Sequence, residues 1–124
     1  MNEQAIRQLD QATLAHALWK IRLSDAAQGK LATFDREAAA DCHACAFGKW
    51  LDAGADGMAS DPEYRMVYDL HQEFHRSVGQ FLDSLRAGEK VDLEYPLGPQ
   101  GTFRDTSSRL AEAFLKWRDR LGQT

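Results

Sequence analysis

Apolar residues recur at alternating steps of three and four along three stretches of this chain, the spacing that lines up side chains on one face of an α-helix. The recurrence predicts helices over about residues 3–24, 62–88 and 103–121. Proline is scarce, with three in the whole chain, which also favours helix. The predicted stripes are, in chain order, Ala5, Leu9, Ala12, His16, Trp19 and Leu23; Tyr64, Val67, His71, Phe74, Val78, Phe81 and Leu85; and Phe103, Ser107, Leu110, Phe114, Trp117 and Leu121.

Capping residues, proline and glycine mark where the predicted helices begin and end. Ser60 and Glu63 have the spacing of a capping box, and Pro62 fits only the first turn of a helix, so the second long helix is expected to begin here. A run rich in large apolar residues follows Cys45 and ends at Gly54. This run predicts a short helix with the cysteine at its start.

Two segments lack a clear helical repeat. Residues 31–40 predict a loop that runs into a short helical piece, and residues 89–101, with two prolines and two glycines, predict a connecting loop. We therefore predict an all-α fold: an antiparallel bundle of about four long or medium helices with one short helix that carries the cysteine. We expect one domain over residues 1–124, with its motifs in about residues 10–85.

Composition and charge exclude several classes of protein. The 124 residues are 44% hydrophobic and 27% charged, enough for one core without a metal or disulfide framework. A formal net charge of −4 argues against binding to nucleic acid. No run approaches the ~18 apolar residues of a membrane span, and no signal peptide opens the chain. We expect a cytoplasmic protein without membrane insertion, and the start at Met1 favours a free-standing domain.

Histidines occupy positions where the stripes require core residues. His16 lies in the first stripe and His71 in the second, and His75 follows His71 by one turn. Two imidazoles at this spacing can direct two nitrogen atoms at one point. Burial of three unpaired imidazoles would cost about 1–3 kcal/mol each, and coordination to one cation removes that cost. The alternatives are hydrogen bonds to carboxylates or backbone carbonyls, or an exposed histidine pair.

A cysteine helps to decide which metal would suit these histidines. Three imidazoles suit zinc, copper or iron, and one added thiolate favours zinc. Cys45 is the candidate, because the dipole and the free N–H groups at a helix start lower the pKa of a thiol. The alternatives are a small buried apolar side chain or a redox dithiol with Cys42, although no thioredoxin-like βαβ unit is predicted.

Three segments of the sequence resemble the chemoreceptor zinc-binding domain, the CZB family. The segments are His16-Ala17-Leu18-Trp19-Lys20, Cys45-Ala46-Phe47-Gly48-Lys49-Trp50-Leu51 and Leu70-His71-Gln72-Glu73-Phe74-His75. Their order and spacing agree with the family over about residues 10–80. The resemblance implies one zinc ion bound by His16, Cys45, His71 and His75, the residues that the helix faces also indicate.

Several neighbours of these segments have more than one possible role. Cys42 precedes Cys45 at a common zinc-chelate spacing, but the Phe-Gly-Lys-Trp run fixes the motif on Cys45. Cys42 is then a neighbouring thiol, able to form a disulfide with Cys45 once zinc leaves. His43 is expected at the surface or in a hydrogen bond to a ligand. Glu73 and Asp69 can accept a hydrogen bond from a ligand histidine, although a solvated helix face suits them better.

The expected function is regulatory. Four protein ligands fill a tetrahedral zinc, so we expect no enzymatic activity. The resemblance implies a zinc-binding sensor module of bacterial signal transduction, in chemotaxis or cyclic-di-GMP pathways, that senses zinc or oxidants. It also implies a homodimer and a chemoreceptor or diguanylate cyclase as partner. The alternatives are a structural zinc-stabilised bundle that mediates interaction or dimerisation, and a hemerythrin-like di-iron oxygen-binding bundle, which needs more histidines and bridging carboxylates.

Overall fold

Five α-helices hold most of the residues that the computed structural model describes, which are 3–30, 32, 34–89 and 103–122. A π-helical turn continues the first helix, a 3-10 turn follows the third, and the described residues contain no strand. The all-α prediction is confirmed, whereas most of the predicted 89–101 loop lies outside the described residues. The helices are α1 (Glu3–Asp25), α2 (Arg36–Ala40), α3 (Ala46–Asp52), α4 (Pro62–Arg86) and α5 (Phe103–Gly122).

The three long helices form the bundle, with α5 packed against both α4 and α1. Ser77 of α4 contacts Thr106 near the start of α5, whereas Asp61 at the start of α4 pairs with Arg120 near the end of α5. These contacts show that α4 and α5 run antiparallel. In the described part of the chain, no helix combines the length and the hydropathy needed to cross a bilayer.

The predicted stripes supply the core of the bundle. All six stripe residues of α1 are buried, and those of α4 are buried except at its two ends, where Tyr64 and Leu85 are half-buried. In α5 the predicted Ser107 is half-buried, and the adjacent Thr106 takes the buried position instead. Its hydroxyl lies 3.0 Å from that of Ser77, so the polar group is satisfied inside the core.

The start of α4 differs from the predicted capping box. The N-cap is Asp61, not Ser60, and its carboxylate makes no capping hydrogen bond. It instead accepts a hydrogen bond from Trp117 and pairs with Arg120, while the buried Glu63 pairs with the same guanidinium. A contact with α5 therefore engages the Glu63 carboxylate, which the local sequence pattern assigned to capping.

Candidate metal centre

Four side chains from two helices and the start of a third meet inside the bundle. The sequence-predicted ligands are His16 on α1, His71 and His75 on α4, and Cys45 at the N-cap of α3. One ligand atom from each lies within 4.8 Å of the corresponding atom of every other. The histidines are only 1–6% exposed, whereas Cys45 is half-buried. The structure thus brings all four predicted residues together.

Two of the histidines are oriented by backbone carbonyl groups. The Nδ1 atom of His16 lies 2.6 Å from the carbonyl oxygen of Ala12, and that of His75 lies 2.8 Å from the carbonyl oxygen of Ala39. Because a carbonyl only accepts, each Nδ1 carries the proton and each Nε2 keeps its lone pair. Both Nε2 atoms are buried without a hydrogen-bond partner. A cation bound between them would satisfy both, so these residues fit a metal ion.

The thiol of Cys45 completes the cluster. Its Sγ atom lies 3.2 Å from Nε2 of His71 and accepts a hydrogen bond from the backbone N–H of Gly48 at 3.3 Å. The sulfur thus takes the position of an N-cap oxygen at the start of α3. Three imidazole nitrogens and one sulfur form a donor set typical of tetrahedral zinc.

Burial keeps the four side chains uncharged when no metal is bound. It lowers the pKa of His16 to about 4 and that of His71 to about 2, and it also lowers the pKa of His75. Burial likewise raises the pKa of the Cys45 thiol, although the N–H group of Gly48 acts in the opposite direction. The expected lowering of this pKa by the helix start is therefore wrong for the metal-free protein, because desolvation outweighs the backbone contacts at the start of α3.

A comparison with known protein families agrees with this geometry. The sequence model of the chemoreceptor zinc-binding domain matches residues 16–82, which is more than half of the chain and includes all four clustered residues. The chain belongs to the chemoreceptor zinc-binding domain family. Neither a search of curated proteins nor a search of solved structures gives a match.

Steric crowding explains why a glycine, Gly48, follows Cys45 in the segment that resembles the family. A Cβ atom at Gly48 would lie 1.7 Å from the carbonyl oxygen of Cys42, closer than any two such atoms approach. The same carbonyl oxygen lies 3.8 Å from the Sγ atom of Cys45. The absence of a side chain at Gly48 thus lets α3 pack directly on the loop before it, next to the Cys45 sulfur.

The hydrogen-bond acceptors expected from the sequence are not the ones that the structure uses. Glu73 is exposed, and Asp69 pairs with Arg65 along the surface of α4, which fits the solvated face considered for both. The carbonyl groups of Ala12 and Ala39 accept instead. Ala12 lies one helical turn before His16, so helix geometry alone would have predicted this hydrogen bond. Ala39 depends on how α2 packs against α4, which no local pattern shows.

The structure shows the positions of Cys42 and His43, whose roles the sequence does not decide. Cys42 is buried and its thiol is free, as is that of Cys45. His43 is at the surface, and its Nδ1 atom lies 2.6 Å from a carboxylate oxygen of Asp52 at the end of α3. Neither residue belongs to the buried cluster of four.

Aromatic rings pack against the buried histidines of the cluster. The ring of His16 lies 5.0 Å from that of Phe74 and 5.6 Å from that of Phe114, measured between centroids. Phe47 lies 5.3 Å from His71 in an edge-on contact. This apolar environment strengthens electrostatic interactions between a cation and its ligands.

Proposed function

We propose that this chain is a zinc-binding regulatory domain whose ion is held by His16, Cys45, His71 and His75. The observation that carries the proposal is the pair of buried, unpartnered Nε2 atoms of His16 and His75 beside a thiol and a third imidazole. Bound zinc supplies the positive charge that keeps the Cys45 sulfur ionised. The chain supplies neutral imidazoles already oriented by Ala12 and α2.

The four-donor set supports a binding role over catalysis. Four protein ligands complete a tetrahedral zinc and leave no position for water or substrate. The cluster also includes no carboxylate, which favours zinc over the di-iron alternative, since that centre uses bridging carboxylates. We therefore infer that the domain is not an enzyme and does not carry oxygen.

Exposure of the ligands supports a sensor over a purely structural zinc site. Cys45 is the one ligand in the cluster that is not fully buried, and its sulfur is the one anionic donor. A two-electron oxidant such as hypochlorous acid can convert a zinc-bound thiolate to a sulfenic acid, which weakens zinc binding. Loss of zinc, or of this thiolate, is the signal that we propose the domain transmits.

An exposed apolar stripe on α1 supports the proposed homodimer. Leu14, Leu18 and Ile21 are 64%, 45% and 60% exposed, and their steps of four and three place them on one side of the helix, away from the core. A second copy of this chain would cover them. Family membership supports a chemoreceptor or a diguanylate cyclase in the cytoplasm as the signalling partner.

Metal analysis of the purified protein tests the proposal. We expect one zinc and no iron per chain, and a colourless protein. Two irons with visible absorption would support the di-iron alternative, and a folded protein that takes up no zinc would refute the zinc site.

A further inference from the structure

The loop between α2 and α3 carries a second group of metal-binding side chains. The ligand atoms of Asp41, Cys42 and His43 lie within 4.8 Å of one another. Asp41 and His43 are exposed, whereas Cys42 is 8% exposed. The group combines carboxylate, thiol and imidazole donors, which zinc accepts together. It shares no residue with the buried cluster of four.

This loop lies on the accessible side of the buried cluster. Cys45 is the half-buried member of that cluster, and its sulfur lies 3.8 Å from the backbone of Cys42. The loop is therefore the segment next to the exposed side of the buried cluster.

A cleft beside the loop offers room for a hydrated ion. It measures about 450 Å³, and its lining includes the three loop residues. The other lining residues are Arg36 and Ala40 of α2 and Gln72, Arg76 and Gln80 of α4. Asp52 also accepts a hydrogen bond from the His43 ring, the kind of carboxylate contact that often orients a metal-binding histidine.

We propose that Asp41, Cys42 and His43 form a transient zinc site that delivers zinc to the buried cluster and receives it on release. The proposal rests on the proposed function, that the buried cluster holds zinc. Three donors leave coordination positions for water, so the loop binds zinc more weakly than the four-ligand cluster does.

Transfer from the loop to the cluster is an exchange of ligands with a balanced count of protons. Cys42 releases its thiol proton to water when it takes the ion. Cys45 releases its own proton when the ion moves inward, and Cys42 takes a proton back from water. The net change is one proton lost from Cys45 for each ion bound.

Rates of zinc exchange test this proposal on the full chain. Uptake is measured with Zn²⁺ alone and release with excess EDTA, for the wild type and for Cys42→Ser and His43→Ala. The His43 side chain is half-exposed, so its removal is expected to preserve the fold. Glu73→Gln is the control, because this exposed carboxylate lines a different cleft, beside α5.

We expect both loop variants to slow uptake and release together by about tenfold, equivalent to about 1.4 kcal/mol of barrier, with an unchanged dissociation constant. Uptake and release must slow by the same factor, because the dissociation constant is the ratio of the release rate constant to the uptake rate constant and is expected to stay unchanged. Unchanged rates, or weaker binding at an unchanged uptake rate, would overturn the proposal. Zinc retained by Cys45→Ala and lost by His43→Ala would instead refute the proposed function.

Discussion

At the scale of single residues, the two cysteines have different relations to the buried histidines. The Cys45 sulfur lies 3.2 Å from Nε2 of His71, whereas the thiol of Cys42 belongs to the loop cluster outside. Proximity in sequence is therefore a poor guide to the role of each thiol. The two side chains serve as matched controls for one another.

Replacement of Cys45 by alanine is expected to weaken zinc binding far more than replacement of Cys42. The first variant removes the one anionic ligand, and we expect a loss beyond the 10–100-fold typical of residues that only support a ligand. Cys42→Ala should keep the equilibrium affinity. Competition titrations with a zinc chelator measure both constants. If Cys42→Ala lost zinc and Cys45→Ala kept it, the ligand would be Cys42.

Gly48 offers a second test at this scale. Gly48→Ala places a Cβ 1.7 Å from the Cys42 carbonyl oxygen, so α3 or the loop must move. We expect the free energy of unfolding to fall by about 1–3 kcal/mol, as overpacking usually costs, and zinc affinity to fall with it. Gly122→Ala is the control, since a Cβ there meets nothing within 4 Å. Urea unfolding measures the free energy of unfolding of the two variants. Equal stability of Gly48→Ala and Gly122→Ala would contradict the steric argument.

At the scale of helices, periodicity predicts what faces the core but not which partner each end meets. The six stripe positions of α1 follow from helix geometry, since any helix with that sequence has one apolar face. The start of α4 does not follow from the local sequence, because Arg120 lies far along the chain and takes both Asp61 and Glu63. The contact between His75 and the carbonyl group of Ala39 cannot be predicted from the local sequence either, because these residues lie on different helices.

The short helix α3 is the element that we expect to loosen first when zinc leaves. It has seven residues, too few to be stable alone, and its N-cap is Cys45, the proposed zinc ligand. On oxidation or mild chelation, hydrogen exchange should show loss of protection first in residues 44–52, with α5 unchanged at that stage. If protection fell uniformly over all helices, or did not fall in residues 44–52, zinc would have a structural role only.

At the scale of the whole molecule, we expect the apolar core to support the fold without the metal. Fully buried side chains such as Trp117, Phe81 and Phe114 lie on the long helices and contact their neighbours through apolar surface. The three buried imidazoles lie within this core and are neutral in the metal-free state. Zinc therefore adds to a fold that already has hydrophobic support.

Chelation of zinc should leave a helical protein with a lower melting temperature. Binding to the folded state alone contributes about 2.7 kcal/mol at a free zinc concentration one hundred times the dissociation constant. Circular dichroism with and without EDTA measures both helicity and Tm. Conversion to random coil at 25 °C would show that zinc, and not the core, holds the helices together.

Dimerisation is expected to depend on the outer face of α1. Leu18 lies at the centre of the exposed apolar stripe, so Leu18→Glu would place a charge where a second copy must exclude water. We expect this variant to be monomeric at concentrations at which the wild type is dimeric in sedimentation equilibrium. Met66→Glu is the control, because Met66 is similarly exposed, at 47%, but lies on α4 beside the cleft between α4 and α5. Dissociation by Met66→Glu and not by Leu18→Glu would move the interface to that cleft, and a wild type that is monomeric throughout would refute the homodimer.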